Sequence, residues 1–456
     1  MRIGVMMAHY LLILLLLSFI ALFFFSYKSS KDIRDDDNYF LAGRKLGIFS
    51  VCISLLATQI GGGVILGTSQ ASYKYGIYGI FYTLGLSLGF IALSFFGAKQ
   101  LREKNISTVA ELFEKEYNSV FLKKVASSIS ILSLYGILIS MIVSTKTLLI
   151  ALGIKNELAL YVFWVAAITY TVFRGIKAVV YINIVKITTI FIIFSTVLAY
   201  YALMKFEYIQ YSLNHLLINV EDTKDIPFSQ YILIPFLFIF IEQDMAQNFF
   251  AAKNTKVAYT SAFIAGFLLL IFSFIPVIFG IAARSMGNMP DGANEMMFFF
   301  AHTSNSLITS IVSIAILAAI VATGDSLLNA INTNLALDFR AKSPNNLIYS
   351  RIITTILGIA GIAIAHYFTD IISILLISYE IMICTLFFPI VATYFRFRSS
   401  TAFAYISIIL GLAGFLLHEN LSIFLDINIT RELFCISLSF LAFPLSKIYG
   451  KFNPSV

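Results

Sequence analysis

Thirteen long apolar runs dominate this sequence and restrict what it can fold into. Windows of about 19 residues fall at 9–27, 47–72, 77–97, 125–152, 157–173, 178–204, 229–250, 257–283, 305–335, 347–367, 371–394, 401–417 and 430–447. Roughly 20 apolar residues carry an α-helix across a bilayer, and in lipid every backbone N–H and C=O must be satisfied within the protein. The expected fold is all-α and polytopic, with about 13 transmembrane helices. Only 12% of the 456 residues are charged, about half the fraction of a soluble domain. No polar stretch is long enough to fold separately, so 1–456 reads as one transmembrane domain, with 1–46 an extra first helix and its loop and 395–456 two C-terminal helices.

Loop charge gives the direction. The first run has only Arg2 before it, while Lys28, Lys31, Arg34, Arg44 and Lys45 follow, the reverse of a cleaved secretory signal. It reads as a retained helix with its N-terminus outside. On that topology 22 Lys and Arg residues lie in inside segments and 7 outside, the bias produced by retention of basic residues in the cytoplasm. A cell-membrane protein with an external N-terminus and a cytoplasmic C-terminus is expected. Topology thus accounts for the net charge of +7, and nucleic acid is not an expected partner. Asp32, Asp35, Asp36 and Asp37 lie among basic residues and read as a solvated loop rather than a calcium site. Ser107 with Glu111 suggests a short capped helix on the membrane surface.

Cys52, Cys384 and Cys435 all sit in apolar runs, as small buried hydrophobes do. The five histidines are scattered, and no zinc motif, phosphate-binding loop or nucleophile elbow occurs in a credible context. No cofactor is expected, and ATP-driven pumping and metalloproteolysis lose their usual signatures.

Two runs cannot be uniform helices. Thr58 and Gln59 lead into Gly61, Gly62 and Gly63, and each glycine costs a helix roughly 1 kcal/mol relative to alanine. Close packing explains one or two of them; three in succession favour an unwound segment whose backbone faces a cavity. The run at 229–250 carries Pro235 and then Glu242, Gln243, Asp244 and Gln247. Two broken spans separated by intact helices are the pattern of an inverted-repeat secondary transporter, with its site between the breaks near the midplane. The run at 305–335 places Thr323 and Ser326 one turn apart and Asp325, Asn329 and Asn332 on an adjacent stripe. Such a stripe can also simply join helices. Asp325 needs a cationic partner, because an unpaired charge in the membrane costs several kcal/mol, and Lys186, roughly 14 Å in from the cytoplasmic end of its span, is the candidate.

At these residues the sequence resembles a known family. DNYFLAGRKLG, the glycine-interrupted run with its following ASYKYGIYG, STVAELFEKEY, GIKAVVYIN, QDMAQNFFAAK and ATGDSLLNA occur in order and at matching spacing over about 37–400. Together they resemble the sodium:solute symporters, carriers of proline, pantothenate, sialic acid and sugars. The resemblance implies the LeuT-like five-plus-five inverted repeat, with 47–204 and 229–394 as the two repeats. It implies sodium as the coupling ion, held by the carbonyls of Ala57, Ile60 and Ala319 and the side chain of Thr323. It also implies solute contacts from Gln59, Gly61, Val64, Thr83, Lys146 and Gln243. Lys146 either binds a solute carboxylate or snorkels to the outer interface.

Three positions depart from the family. Ala322 stands where a second hydroxyl is usual, Asn183 where many members have aspartate, and Lys186 where glutamine is common. Together with Asp325 and Ser326 they neighbour the cation site. Each change lowers cation affinity, and an ammonium on Lys186 can stand where sodium would sit. Three readings stay open: a fixed Lys186–Asp325 pair, retained sodium coupling, and proton-coupled or ion-independent transport.

The expected function is secondary uptake of a small polar solute by alternating access, with sodium or a proton and the lipid bilayer as the other partners. A non-transporting sensor on the same fold is the alternative; such proteins usually append a signalling domain, whereas this chain ends at Val456 soon after its last run. A membrane-embedded enzyme lacks a nucleophile and base constellation.

Overall fold

The computed structural model describes residues 41–154, 156–172, 176–217, 228–287, 289–339, 346–395, 397, 400–425 and 429–446. The first apolar run and the aspartate-rich loop lie outside the described residues. Within them the regular structure is helical, and the sole extended pairing is an isolated parallel bridge between Leu46 and Ala252.

The helices that build the interior are α1 (Ile48–Gln59), α2 (Thr68–Tyr75), α3 (Phe81–Phe96), α4 (Ala98–Glu103), α5 (Glu111–Tyr117), α6 (Val120–Ala151), α7 (Glu157–Val172), α8 (Ile176–Met204), α9 (Phe206–Asn214), α10 (Phe228–Phe238), α11 (Gln243–Ala251), α12 (Thr255–Ala282), α13 (Glu295–Thr303), α14 (Ser306–Asp338), α15 (Asn346–Ile364), α16 (Ile371–Met382), α17 (Phe388–Tyr394), α18 (Thr401–Leu425) and α19 (Arg431–Phe440). Eight helical segments among the described residues are long and apolar enough to cross a membrane. The difference from thirteen has a local cause in each case. One run is outside the described residues, two are interrupted, and α7 and α19 hold 16 and 10 residues.

Asparagine side chains set several helix starts, because an N-cap oxygen meets an amide that the helix leaves unbonded. Asn254 accepts from Val257 N–H at 2.9 Å to begin α12, and Asn305 accepts from Ile308 N–H at 2.9 Å to begin α14. The short helix α5 begins after Ala110, which makes no side-chain cap, so the cap expected from Ser107 with Glu111 is replaced by contacts in the turn ahead of the helix. Thr108 Oγ1 accepts from Glu111 N–H at 3.2 Å, while Glu111 Oε2 accepts from Ser107 N–H at 3.0 Å. The two bonds involve different residues, so no reciprocal capping box forms.

One large core results among the described residues, with two small clusters beside it at Ala42–Val180 and around Ile80, Val277 and Ile281. α14 lies at its centre, packed against α1, α6, α7 and α8, and α12 supports α1, α2 and α3 from the other side. Tyr201 near the end of α8 bonds Thr303 Oγ1 at 2.6 Å, just before α14 begins, so these two helices run antiparallel. The connections bearing Lys99, Arg102, Lys104, Lys123 and Lys253 share one end of the bundle, hereafter the basic end; Arg102 Nε there donates to Ala252 O at 2.6 Å.

At the opposite end α13 forms a lid over α2 and α6. Asn294 caps it, and its Nδ2 also reaches Leu66 O at 3.1 Å while its N–H bonds Thr147 O at 3.1 Å. Beside it Glu295 is buried, and burial pushes its carboxyl up to about 7, against the partial relief given by its own backbone N–H and by Lys74. A carboxyl raised above its unfolded value stabilises the fold below pH 4.5, and that contribution fades as pH rises through about 7. Unfolding temperature should therefore fall across that window, and Glu295→Gln should flatten the slope; an unchanged pH profile in the variant would remove Glu295 as its cause.

Candidate functional site

The two interrupted runs meet in the middle of the core. α1 ends because Ile60 leaves the helical region (φ −74°, ψ 77°) and Gly61 N–H folds back onto Gln59 O at 2.8 Å. Helical geometry resumes at once, through a π-helical turn at Gly63–Gly67 that runs into α2. Unwinding is thus confined to Ile60 and Gly61, and the rest of the glycine run serves close approach. A Cβ on Gly62 would lie 2.0 Å from Ser144 Oγ of α6, and one on Gly61 would lie 2.4 Å from Thr323 Oγ1 of α14. Both explanations offered for three glycines apply: Gly61 serves the break and close approach alike, and Gly62 close approach alone.

The second break follows Pro235. α10 stops at Phe238, a turn follows, and α11 begins at Gln243 with Glu242 in an extended conformation (φ −64°, ψ 126°). Glu242 and Asp244 then stand at the start of α11, where the helix dipole favours negative charge. Gln59 Nε2 donates to Glu242 Oε2 at 2.7 Å, joining the two breaks directly. Around this contact the hydroxyls of Tyr82 and Tyr379 lie 3.0 Å apart, and the Tyr379 ring stacks on Phe238 with centroids 3.9 Å apart. Met141 Sδ lies 3.3 Å from Gly62 N.

The residues expected to hold sodium converge, and two of them already satisfy each other. Thr323 Oγ1 donates to Ala57 O at 3.0 Å. Ile60 and Ala319 are fully buried nearby on α1's end and on α14 one turn before Thr323. Ala322 adds no side-chain oxygen, and its carbonyl takes the Ser326 hydroxyl at 3.2 Å. Lys186 Nζ lies 2.9 Å from Asp325 Oδ2, and Thr171 of α7 donates to Asp325 Oδ1. The two charged side chains are only 5% and 1% exposed, so each depends on the other. Removing one partner of such a pair typically costs about 3–5 kcal/mol. Asn183 is fully buried one turn from Lys186 toward the basic end.

The residues expected to contact solute divide into groups. Gln59, Gly61 and Val64 sit at the junction. Thr83 is buried and bonds its own helix, donating to Ile80 O at 2.9 Å. Lys146 faces α15 and donates to His366 O at 3.0 Å, in a cavity at the lid end that Glu157 and Asp291 also line. Gln243 is engaged toward the basic end, where its Oε1 accepts from Val109 N–H at 2.6 Å. That contact belongs to a closure. Thr108 and Ser127 donate to the two oxygens of Asp338 at 2.8 and 2.9 Å, tying the segment before α5 to the end of α14. Protein thus meets the junction on both sides, α13 and Asn294 at one end and Thr108–Val109 at the other.

Glu242, Tyr379, Met141 and Thr171 were not among the expected site residues. Glu242 carried a signal, being a carboxylate inside an interrupted apolar run. Tyr379 and Met141 carried none, since aromatic and Met residues on apolar helices are ordinarily core.

A family model described as the sodium:solute symporter family matches residues 39–411. Among curated proteins, the High-affinity choline transporter 1 of Caenorhabditis elegans is 27% identical over 179 residues, which is 36% of this chain and 30% of that transporter's length. Among solved structures, a Na+-coupled sialic acid symporter in a substrate-bound outward-open state superposes with a TM-score of 0.74 at 17% identity, covering 95% of each chain. A nucleobase-cation-symport-1 family transporter, closed with bromovinylhydantoin bound, gives 0.60 at 15% identity over 92% of this chain and 97% of its own. MhsT in complex with L-phenylalanine gives 0.53 at 16% identity, over 86% and 95%. These likenesses establish the five-plus-five helical fold.

Two sets of variants test the geometry. Gly62→Ala should destabilise the purified protein by about 1–3 kcal/mol, as overpacking does, and adding Ser144→Gly should restore most of the loss; no recovery would mean that the glycine serves something other than close approach. Lys186→Met and Asp325→Asn should each lower the unfolding temperature more than the two together, since a single change strands one buried charge. Additive losses would show that the pair contributes nothing as a pair.

Proposed function

The chain belongs to the sodium:solute symporter family, and from that premise we propose that it imports a small polar solute into the cell by alternating access. The observation that carries this reading is the Gln59–Glu242 contact, because it places two helix breaks against each other in the core, each with its own closure. The basic end is the cytoplasmic face. Solute binds at the junction against Gln59, Gly61, Val64 and Glu242, with Tyr82, Tyr379 and Phe238 as an aromatic wall. Thr83 lies behind that wall, Lys146 works at the outer mouth, and Gln243 works at the inner closure. A carboxylate and a glutamine beside ring faces favour a solute rich in hydroxyl or amino donors with one apolar side. The molecules named with the similar proteins, choline, sialic acid and L-phenylalanine among them, differ in charge, so they do not select one solute.

Sodium coupling would use Ala57, Ile60, Ala319 and Thr323. The Thr323–Ala57 hydrogen bond would have to open to admit the ion, and no second hydroxyl stands beside Thr323. A second reading has its own observation, the Lys186–Asp325 pair at 2.9 Å. Here the Lys186 ammonium takes the place of the free cation and exchanges a proton during the cycle.

Uptake in proteoliposomes separates the two. With sodium coupling, uptake of a solute found by a thermal-shift screen should collapse when N-methylglucamine replaces sodium, and Thr323→Ala should raise the sodium concentration for half-maximal uptake several-fold. With the lysine reading, uptake should ignore that exchange, follow an imposed pH gradient, and lose that dependence in Lys186→Met. Absence of uptake for every solute that shifts the unfolding temperature would favour a sensor and sink both.

A further inference from the structure

The junction between the two breaks holds more negative charge than the surrounding protein balances. Glu242 and Asp244 flank Gln243 at the start of α11, and each is only 2% exposed. Their carboxyl groups lie against each other. Gln59 Nε2 donates to Glu242 Oε2 at 2.7 Å, and Met245 N–H donates to Asp244 Oδ1 at 3.0 Å. Both donors are neutral, and among the described residues no donor meets Asp244 Oδ2. Nor does any Lys, Arg or His among them form an ion pair with either carboxylate, the buried Lys186 being engaged with Asp325.

Nothing internal offsets this charge in full. The dipole of α11 favours both groups, but a helix N-terminus is equivalent to only about half an elementary charge. A neutral amide donor steadies a carboxylate without neutralising it. A proton shared between the two carboxyls removes one charge and leaves the other. A buried charge needs a partner of opposite sign, so the junction is incomplete without a cation.

The lining decides which cation fits. A hard metal ion takes several oxygen ligands, yet here the hydroxyls of Tyr82 and Tyr379 bond each other at 3.0 Å, and Gln59 turns its NH2 rather than its oxygen toward Glu242. Aromatic rings stand there instead. Tyr379 stacks on Phe238 and lies in the field of both carboxylates, and Tyr82 lies in that of Glu242. An organic ammonium group suits such a place, because the carboxylates balance its charge and ring faces attract it. Resting on the import reading above, we propose that the solute is an organic cation whose ammonium group is held by Glu242 and Asp244 and walled by Tyr82 and Tyr379. Gln59 holds Glu242 from the first break, so one bound charge engages both broken helices. Protonated amines and quaternary ammonium groups share this chemistry, and only an amine brings an N–H to Asp244 Oδ2.

The test uses the purified full chain and probes matched in shape but not in charge: phenethylammonium with phenethyl alcohol and phenylacetate, and choline with its carbon isostere dimethylbutanol. By isothermal titration calorimetry the ammonium member of a set should bind on the order of tenfold to a hundredfold more tightly than its neutral partner, and phenylacetate should not bind. Asp244→Asn and Glu242→Gln should remove that preference. Equal or tighter binding of a neutral or anionic member overturns the proposal; if that member is also taken up by proteoliposomes, the carrier reading stands without it. An ammonium solute that binds with the stated preference and never enters proteoliposomes keeps the site and sinks import. The ligand-free protein gives an answer that needs no probe, and it decides the matter if no probe binds. In potassium chloride Asp244→Asn should raise the unfolding temperature, because the wild type then holds an unbalanced carboxylate, and Glu242→Gln repeats the comparison should the first variant fail to fold. An unchanged or lowered temperature shows that the protein already balances the charge and overturns the proposal. If sodium chloride in place of potassium chloride protects the wild type and not Asp244→Asn, the occupant is an inorganic ion and the proposal fails.

Discussion

An interrupted helix can exist inside a bilayer only if protein meets the backbone groups that the interruption releases. That constraint organises this structure. The carbonyl of Ala57 before the first break takes the Thr323 hydroxyl, Leu66 O beyond it takes Asn294 Nδ2, and Phe240 O in the second break takes the Tyr394 hydroxyl at 2.7 Å. Each rescue comes from a distant helix. The breaks therefore hold the helices around them in register, and they can rearrange only if those helices move, which is the coupling a carrier needs between its site and its two closures.

The same constraint governs charge. Lys186 and Asp325 are tolerable because each supplies what the other lacks, and Thr171 meets a remaining lone pair of the carboxylate. A pair this dry adds little stability over well-packed apolar residues, but it makes either single loss expensive. Its value is specificity of position. It fixes α8 against α14 at the level where Thr323 closes onto Ala57, so the departures at Asn183, Lys186 and Ala322 change one region together.

Much of this was legible in the sequence because the signals were local. Apolar run length gave an all-helical membrane fold, Gly61–Gly63 and Pro235 marked the breaks, and two intramembrane charges without other candidates marked the Lys186–Asp325 pair. What stayed hidden depends on contacts between distant segments. Gln59 had 182 residues between it and Glu242, and nothing in either run says that they face each other. Gln243 and Lys146 show the converse. Both are polar in apolar runs, yet one holds the closure at the basic end and the other lines a cavity at the lid end, because the face a side chain takes depends on which helices surround it. The helix count was the least legible feature, since an interrupted or short helix satisfies the same composition as an intact span.

The account stands or falls on whether the two closures open in alternation. Spin labels placed at exposed positions across the closure at the basic end, on Glu116 of α5 and Lys253 after α11, and across the lid end, on Glu157 of α7 and Asp291 before α13, report both distances by double electron–electron resonance in nanodiscs. Across a sodium and pH titration the account predicts two populations for each pair, with the longer basic-end distance appearing only where the lid-end one is short. Both distances lengthening together, or neither changing under any condition, would contradict alternating access and the function built on it.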